Sequence, residues 1–215
     1  MRESERAPRR IAVGITGSSG FRYGVALVDS LCALGFETHV VLSGPAFKVA
    51  RLEEGYEVDP ARSPDEIAEK LFADPSRVRI HSVEAVESIP SSGSSGVEAM
   101  VVCPCSMGTL ARIAHGYSIG LIERAADVAL KEGRPLVLVP RETPLSVLHL
   151  ENMIRLARAG AIVLPASPGF YHRPRRISDL VAFVVAKILG RLGLEIPEEL
   201  RWSGPSESLV EEEGP

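Results

Sequence analysis

Short runs of consecutive apolar residues alternate along this chain with longer stretches whose apolar positions recur every three or four residues, from Ile11 to Leu192. Runs that are apolar throughout suit strands buried on both faces of a parallel sheet, and the periodic stretches suit the helices that cross over between them. The pattern predicts strands at Ile11 to Ile15, Thr38 to Leu42, Val78 to Val83, Ala99 to Cys103, Leu136 to Val139 and Ala161 to Leu164. It predicts helices at Phe21 to Leu34, Pro45 to Glu54, Pro64 to Phe72, Ser106 to His115, Leu121 to Glu132, Pro144 to Ala159 and Ile177 to Leu192. Ser63 with Pro64 opens one helix, and Gly35, Gly116 and Gly160 close three others. The expected fold is α/β around a parallel sheet, with one domain over residues 11–195, a charged extension over 1–10 and a Pro-, Glu- and Ser-rich tail over 196–215 that holds Trp202. The segment Pro90-Ser-Ser-Gly-Ser-Ser-Gly96 is a connection by composition, either a plain linker or a mobile flap.

Composition narrows the class. With 215 residues and 45% hydrophobic content the chain can bury one real core, and two full domains would be cramped. A formal net charge of -4 gives no broad basic surface, so no nucleic-acid partner is expected. No run approaches the roughly 20 apolar residues of a membrane span, and no apolar stretch suited to a signal peptide follows Met1 to Arg10, so the expected location is the cytoplasm. Cys32, Cys103 and Cys105 are an odd set, two of them one residue apart, which suits free thiols rather than a disulfide framework. The five histidines, His39, His81, His115, His149 and His172, show no ligand-like spacing, and no metal site is expected.

The candidate chemistry gathers where strands end. Gly14-Ile-Thr-Gly-Ser-Ser-Gly20 runs from the first strand into a helix, so backbone amides at a helix start can approach a phosphate. Its glycine spacing is not that of a dinucleotide fold, and Ser43 stands where a ribose-binding acid would follow the second strand, which favours a mononucleotide. A second such turn, Cys103-Pro-Cys-Ser-Met-Gly-Thr109, offers small and hydroxyl side chains at another helix start. Arg141 and Glu142 stand just past a buried strand, and Pro165-Ala-Ser-Pro-Gly-Phe-Tyr-His172 follows the last one. Ligands of open α/β sheets bind at the carboxyl ends of the strands, so Thr16 to Ser19, Ser43, Ser106 to Thr109, Arg141, Glu142 and Tyr171 are expected to converge on one edge. Arg124 and Lys131, seven residues apart, share a helix face.

These segments resemble the UbiX-type flavin prenyltransferases, in the flavoprotein group that also holds the flavin-containing cysteine decarboxylases. The resemblance runs through nearly the whole chain: Gly14-Ile-Thr-Gly-Ser-Ser-Gly, Pro104-Cys-Ser-Met-Gly-Thr-Leu-Ala, Leu121-Ile-Glu-Arg-Ala-Ala-Asp-Val, Pro140-Arg-Glu-Thr-Pro-Leu-Ser, Pro168-Gly-Phe-Tyr-His and Asp179-Leu-Val-Ala-Phe-Val-Val, in that order. It implies a Rossmann-like or flavodoxin-like three-layer fold and a homo-oligomer, commonly a dodecamer. It also implies a metal-independent transferase that joins the dimethylallyl group of dimethylallyl monophosphate to N5 and C6 of reduced FMN, closing a fourth ring as phosphate leaves. The product, prenylated FMN, is the cofactor of UbiD-type decarboxylases, often in ubiquinone biosynthesis or aromatic acid decarboxylation. By position, Gly17, Ser18, Ser19, Ser43, Ser106, Met107, Gly108, Thr109 and Arg124 would hold FMN. Lys131, Arg141, Glu142, Tyr171 and Lys187 would hold or act on the prenyl phosphate, with Glu53 and Trp202 completing the site from a neighbouring subunit. Catalytic work would fall to Ser19, Lys131, Glu142 and Trp202.

Ser18 stands where the family often has Ala, Ile119 where Asp or Asn is usual, Gly133 where Arg is usual and Lys187 where Arg is frequent. None of these changes removes a residue given a chemical role above. Two other readings use the same turns: a flavin-dependent cysteine decarboxylase, and a non-catalytic FMN-binding regulatory subunit. Pro140-Arg-Glu-Thr-Pro and Pro168-Gly-Phe-Tyr-His favour prenyl transfer over the first, and the joint presence of Lys131, Glu142 and Tyr171, which a non-catalytic subunit would not need, argues against the second.

Overall fold

The computed structural model describes residues 8–196. Six strands form one sheet: β1 (Arg10–Ile15), β2 (Glu37–Leu42), β3 (Val78–His81), β4 (Val97–Cys105), β5 (Leu136–Pro140) and β6 (Ile162–Val163). Every neighbouring pair is parallel, in the spatial order β3-β2-β1-β4-β5-β6. Seven helices join them: α1 (Phe21–Ala33), α2 (Gly44–Glu54), α3 (Pro64–Leu71), α4 (Met107–Ala114), α5 (Leu121–Lys131), α6 (Val147–Arg158) and α7 (Ile177–Arg191).

Alternate side chains of each strand feed two separate cores, which is why the strands read as unbroken apolar runs. Ile11, Val13 and Ile15 of β1, with Val101 of β4 and Val137 of β5, pack under α1, α3 and α7. Ala12, Met100, Val102 and Leu138 face the other way, under α4 and α5, with Leu156 of α6. On α1 the buried positions Phe21, Gly24, Leu27, Val28 and Leu31 follow the helical repeat, so a single face meets the sheet.

Differences from the sequence reading lie at the ends of elements. Helix α6 begins three residues later than expected, at Val147, because the Ser146 hydroxyl accepts from the His149 amide and the His149 ring accepts from the Ser146 amide. Strand β4 begins earlier, at Val97, directly after the serine-rich segment. That segment is tied down: Ser91 and Ser95 hydroxyls donate to the carbonyls of Ser88 and Ser92, Arg10 donates to the Ser95 carbonyl, and Arg134 to that of Gly93. It lies at the amino edge of the sheet, opposite the convergent loops.

Strand order reverses between β1 and β4, since the chain builds β1, β2 and β3 outward in one direction and β4, β5 and β6 in the other. Loops leaving the carboxyl ends of β1 and β4 therefore diverge to opposite sides and open a crevice there.

Candidate active site

Thr16 joins the two sides of that crevice. Its hydroxyl donates to the Pro104 carbonyl and accepts from the Ser106 amide, both at 2.7 Å, and its own amide donates to the same carbonyl. At 1% exposure the Thr16 side chain is a fixed internal tie. Gly17 sits against Pro45 so closely that any Cβ there would collide with the proline ring. Beside it the Ser18 hydroxyl is buried with no hydrogen-bond partner among the described residues.

Helix α2 runs along this loop rather than down the sheet. Ser43 caps its start, accepting from the Ala46 amide, Pro45 touches Gly17, and at the far end Glu53 accepts from the amides of Gly20 and Phe21 at 2.8 and 3.2 Å. Glu54 beside it pairs with Arg22 at 2.6 Å. Glu53 thus reaches the loop of its own chain, correcting the expectation that it arrives from a neighbouring subunit; the course of α2 across the sheet edge is the reason. Partial burial opposes charge on Glu53, but hydrogen bonds from Ser19, Gly20 and Phe21, together with the Arg141 charge, hold its carboxyl below the ordinary value.

On the β4 side Ser106 caps α4, accepting from the Thr109 amide and donating to the Thr109 hydroxyl at 3.1 Å. Arg112 donates to that same hydroxyl at 3.0 Å and to Glu123 of α5 at 2.7 Å. Met107 and Gly108 occupy the first turn, where amides lack intrahelical acceptors and the helix dipole favours an anion. The sequence reading overlooked Arg112 and Glu123. Their signal was present in the three-residue spacing of Thr109 and Arg112, but that Glu123 would be buried beneath Arg112 depends on how two helices pack.

Past β5, the Arg141 guanidinium donates to the Ser19 carbonyl at 3.2 Å, linking the third loop to the first. Glu142 accepts from the Thr143 amide and otherwise faces outward. The loop after β6 runs beside these residues, with the Ala166 amide donating to the Pro140 carbonyl. It delivers Tyr171 and His172 against Phe183 of α7, and Lys187 lies over the Phe183 ring at 5.2 Å.

Within one chain, Thr16 to Ser19, Glu53, Ser43, Ser106 to Thr109, Arg141 and Glu142 lie together. Arg124 stands on α5 with Asp127 as its partner at 3.4 Å. Lys131 is not brought in. It ends α5 at the amino edge, near Glu132 at 3.9 Å, because a crossover helix must finish where the next parallel strand starts. Trp202 lies outside the described residues.

A crevice of this kind, lined by hydroxyls, helix-start amides and an arginine, is fit for the phosphate of a mononucleotide. Residues 1–189 match the model of the family described as Flavoprotein, and the chain belongs to that family. Among curated relatives, flavin prenyltransferase UbiX of Pseudomonas aeruginosa is 47% identical over 214 residues, covering 96% of this chain and 99% of the relative. UbiX of Alkalihalophilus pseudofirmus is 44% identical over 200 residues, covering 93% and 98%. The crystal structure of AnUbiX in complex with FMN and dimethylallyl pyrophosphate superimposes with a TM-score of 0.81 at 37% identity, covering 93% of this chain and all of that one. A dodecameric FMN-dependent UbiX-like decarboxylase from Escherichia coli gives 0.79 at 44% identity, with 91% of this chain and 100% of that one covered. Within the flavoproteins, then, this chain belongs to the UbiX-type flavin prenyltransferases. The cysteine decarboxylase TvaF, at 16% identity and a TM-score of 0.58, shares the fold alone.

Proposed function

We propose that the protein transfers a dimethylallyl group from dimethylallyl monophosphate to reduced FMN and releases prenylated FMN and phosphate. The observation that carries this reading is the 3.2 Å bond from the Arg141 guanidinium to the Ser19 carbonyl, which supports a phosphate-binding role for Arg141 beside the loop suited to FMN. The buried, unpartnered Ser18 hydroxyl and the first-turn amides of α4 fit a flavin phosphate, with Gly17, Ser43, Ser106, Thr109 and Arg124 completing that side. Reduced FMN supplies the nucleophilic N5 and C6 positions when bound.

The residues of the chain then have separable tasks. As the allylic carbon–oxygen bond breaks, charge grows on the departing phosphate, and Arg141, Lys187 and Lys131 stabilise it as preorganised cations. Glu142 transfers a proton to that phosphate. Ser19, hydrogen-bonded to Glu53, relays a proton during carbon–carbon bond formation. Tyr171 orients the phosphate, and Trp202 shields the allylic cation from water.

Lys131 enters such a site only from another copy of the chain. The outer face of α6 supports assembly: Val147, Leu148 and Ile154 are 69%, 69% and 51% exposed, an apolar surface that a partner would cover. The product serves a UbiD-type decarboxylase in the cytoplasm, in ubiquinone biosynthesis or aromatic acid decarboxylation. Incubation with reduced FMN and dimethylallyl monophosphate, followed by mass spectrometry of the extracted flavin, should show FMN heavier by one C5H8 unit. Recovery of unmodified FMN alone overturns the reading.

A further inference from the structure

The loop after β6 holds a polar group in an unusual state. Gly169 passes so near Phe183 of α7 and its own loop's Tyr171 that a Cβ there would lie 3.1 Å from both, and this close approach lays the next residues on Phe183. The His172 ring stacks on Phe183 with centroids 5.2 Å apart and planes 11° apart, while Tyr171 meets it edge-on at 5.9 Å. Both His172 ring nitrogens are sealed from solvent, and neither has a hydrogen-bond partner among the described residues. An imidazole always carries at least one N–H, so sealing both nitrogens forfeits hydrogen bonds that water would provide.

The surroundings define what would satisfy it. Lys187 lies over the Phe183 ring on which His172 stacks, and Tyr171 touches both rings. The guanidinium groups of Arg173 and Arg175 pair with no carboxylate among the described residues. Arg173 and Arg175 follow His172 in the chain and Lys187 lies at the Phe183 ring, and the complement of such cations is an anion with several acceptor oxygens. Arg173 has φ 52, making it the one non-glycine residue in the left-handed region among the described residues. Such strain is retained where the structure around it holds it, and it is released if the chain turns.

We infer that His172 is a substrate-positioning residue: when the phosphate of the allylic donor enters the corner formed by Tyr171 and Lys187, the imidazole leaves its stack and donates a ring N–H to a phosphate oxygen. The inference rests on the prenyl transfer proposed above. Relaxation at Arg173 lets the ring turn, and the bound phosphate replaces the missing partner. His172 thereby couples loop conformation to occupancy of the phosphate corner.

His172→Phe keeps the ring stack and removes both nitrogens. In the full-length, FMN-loaded protein this variant should keep its flavin and melt at or above the wild-type temperature without phosphate. It should lose most of the stabilisation that inorganic phosphate gives the wild type, and KM for dimethylallyl monophosphate should rise about tenfold with kcat changed less than about threefold. His172→Gln, which restores a donor, should recover part of the phosphate response. A wild-type phosphate response and KM in His172→Phe would overturn the inference, as would absence of any phosphate response in the wild type. Loss of flavin or of melting temperature in phosphate-free His172→Phe would also overturn it by assigning the ring a packing role. If the wild type makes no prenylated FMN yet its phosphate response depends on His172, the prenyl transfer reading fails and the phosphate contact stands.

Discussion

His39 and His81 show how much a single pair of residues can depend on its neighbours. On the chain they are 42 positions apart; across β2 and β3 their rings meet, Nδ1 of His39 to Nε2 of His81 at 2.9 Å. Their separation in sequence does not suggest this contact, which arises because parallel strands bring distant positions side by side. His39 Nε2 donates to Glu37, itself paired with Arg10 and Arg79. His39 Nδ1 is then left to accept from His81. Burial, with the Arg10 and Arg79 charges, outweighs the Glu37 contact and keeps His39 below its usual pKa; burial and His39 push His81 down to about 4 from 6.5. A folded pKa below the unfolded one means the unfolded chain takes up the proton first. Above pH 6.5 there is no penalty; as pH falls from 6.5 towards about 4 stability should decline, levelling once the native pair also protonates. Glu37, whose partial burial is outweighed by its hydrogen bonds from Arg10 and His39, is held below 4.5, so its contribution is lost only at lower pH. Urea midpoints measured across this range should fall in the wild type and fall less in His81→Gln. An identical decline in both would place the effect elsewhere.

Between elements, the contact of α4 with α5 sets the FMN side of the crevice. Arg112 spans from the Thr109 hydroxyl to Glu123, which keeps only 5% of its side chain exposed. Removing Arg112 leaves a carboxylate buried without its partner. Arg112→Ala should cost about 2–3 kcal/mol, below the roughly 3–5 of a wholly buried pair because Arg112 is 37% exposed. FMN affinity should weaken with it, since the α4 cap loses a support. Adding Glu123→Leu should restore much of the stability by removing the stranded charge, without restoring the Thr109 contact. Denaturant midpoints and flavin titration separate the two effects. An Arg112→Ala midpoint equal to the wild type would show that the pair contributes nothing net.

On the scale of the whole molecule, Lys131 and Glu142 belong to opposite edges of one sheet. If prenyl transfer uses both, each site joins two copies of the chain. Lys131→Ala and Glu142→Gln should each be nearly inactive alone. Assembled together in equal amounts, they should regain about a quarter of wild-type activity, the chance that one site draws an intact residue from each contributing copy. No recovery in verified mixed oligomers would remove Lys131 from the reaction. Among the described residues no helix is long and apolar enough to cross a membrane.

Residue types and their local order were enough to determine the alternation of strands and helices, the parallel sheet and the turns that carry hydroxyls, because hydrophobic period and cap chemistry act within a few positions. The loops from Thr16, Ser43, Ser106 and Arg141 were placed on one edge by the same logic. Only the tertiary structure decided that Thr16 ties two of those loops, that Glu53 returns to its own chain, that Arg112 rests on a buried Glu123, and that Lys131 lies at the far edge. Each depends on the direction a helix takes after leaving the sheet. Side-chain packing over long separations sets that direction, and no local window contains it.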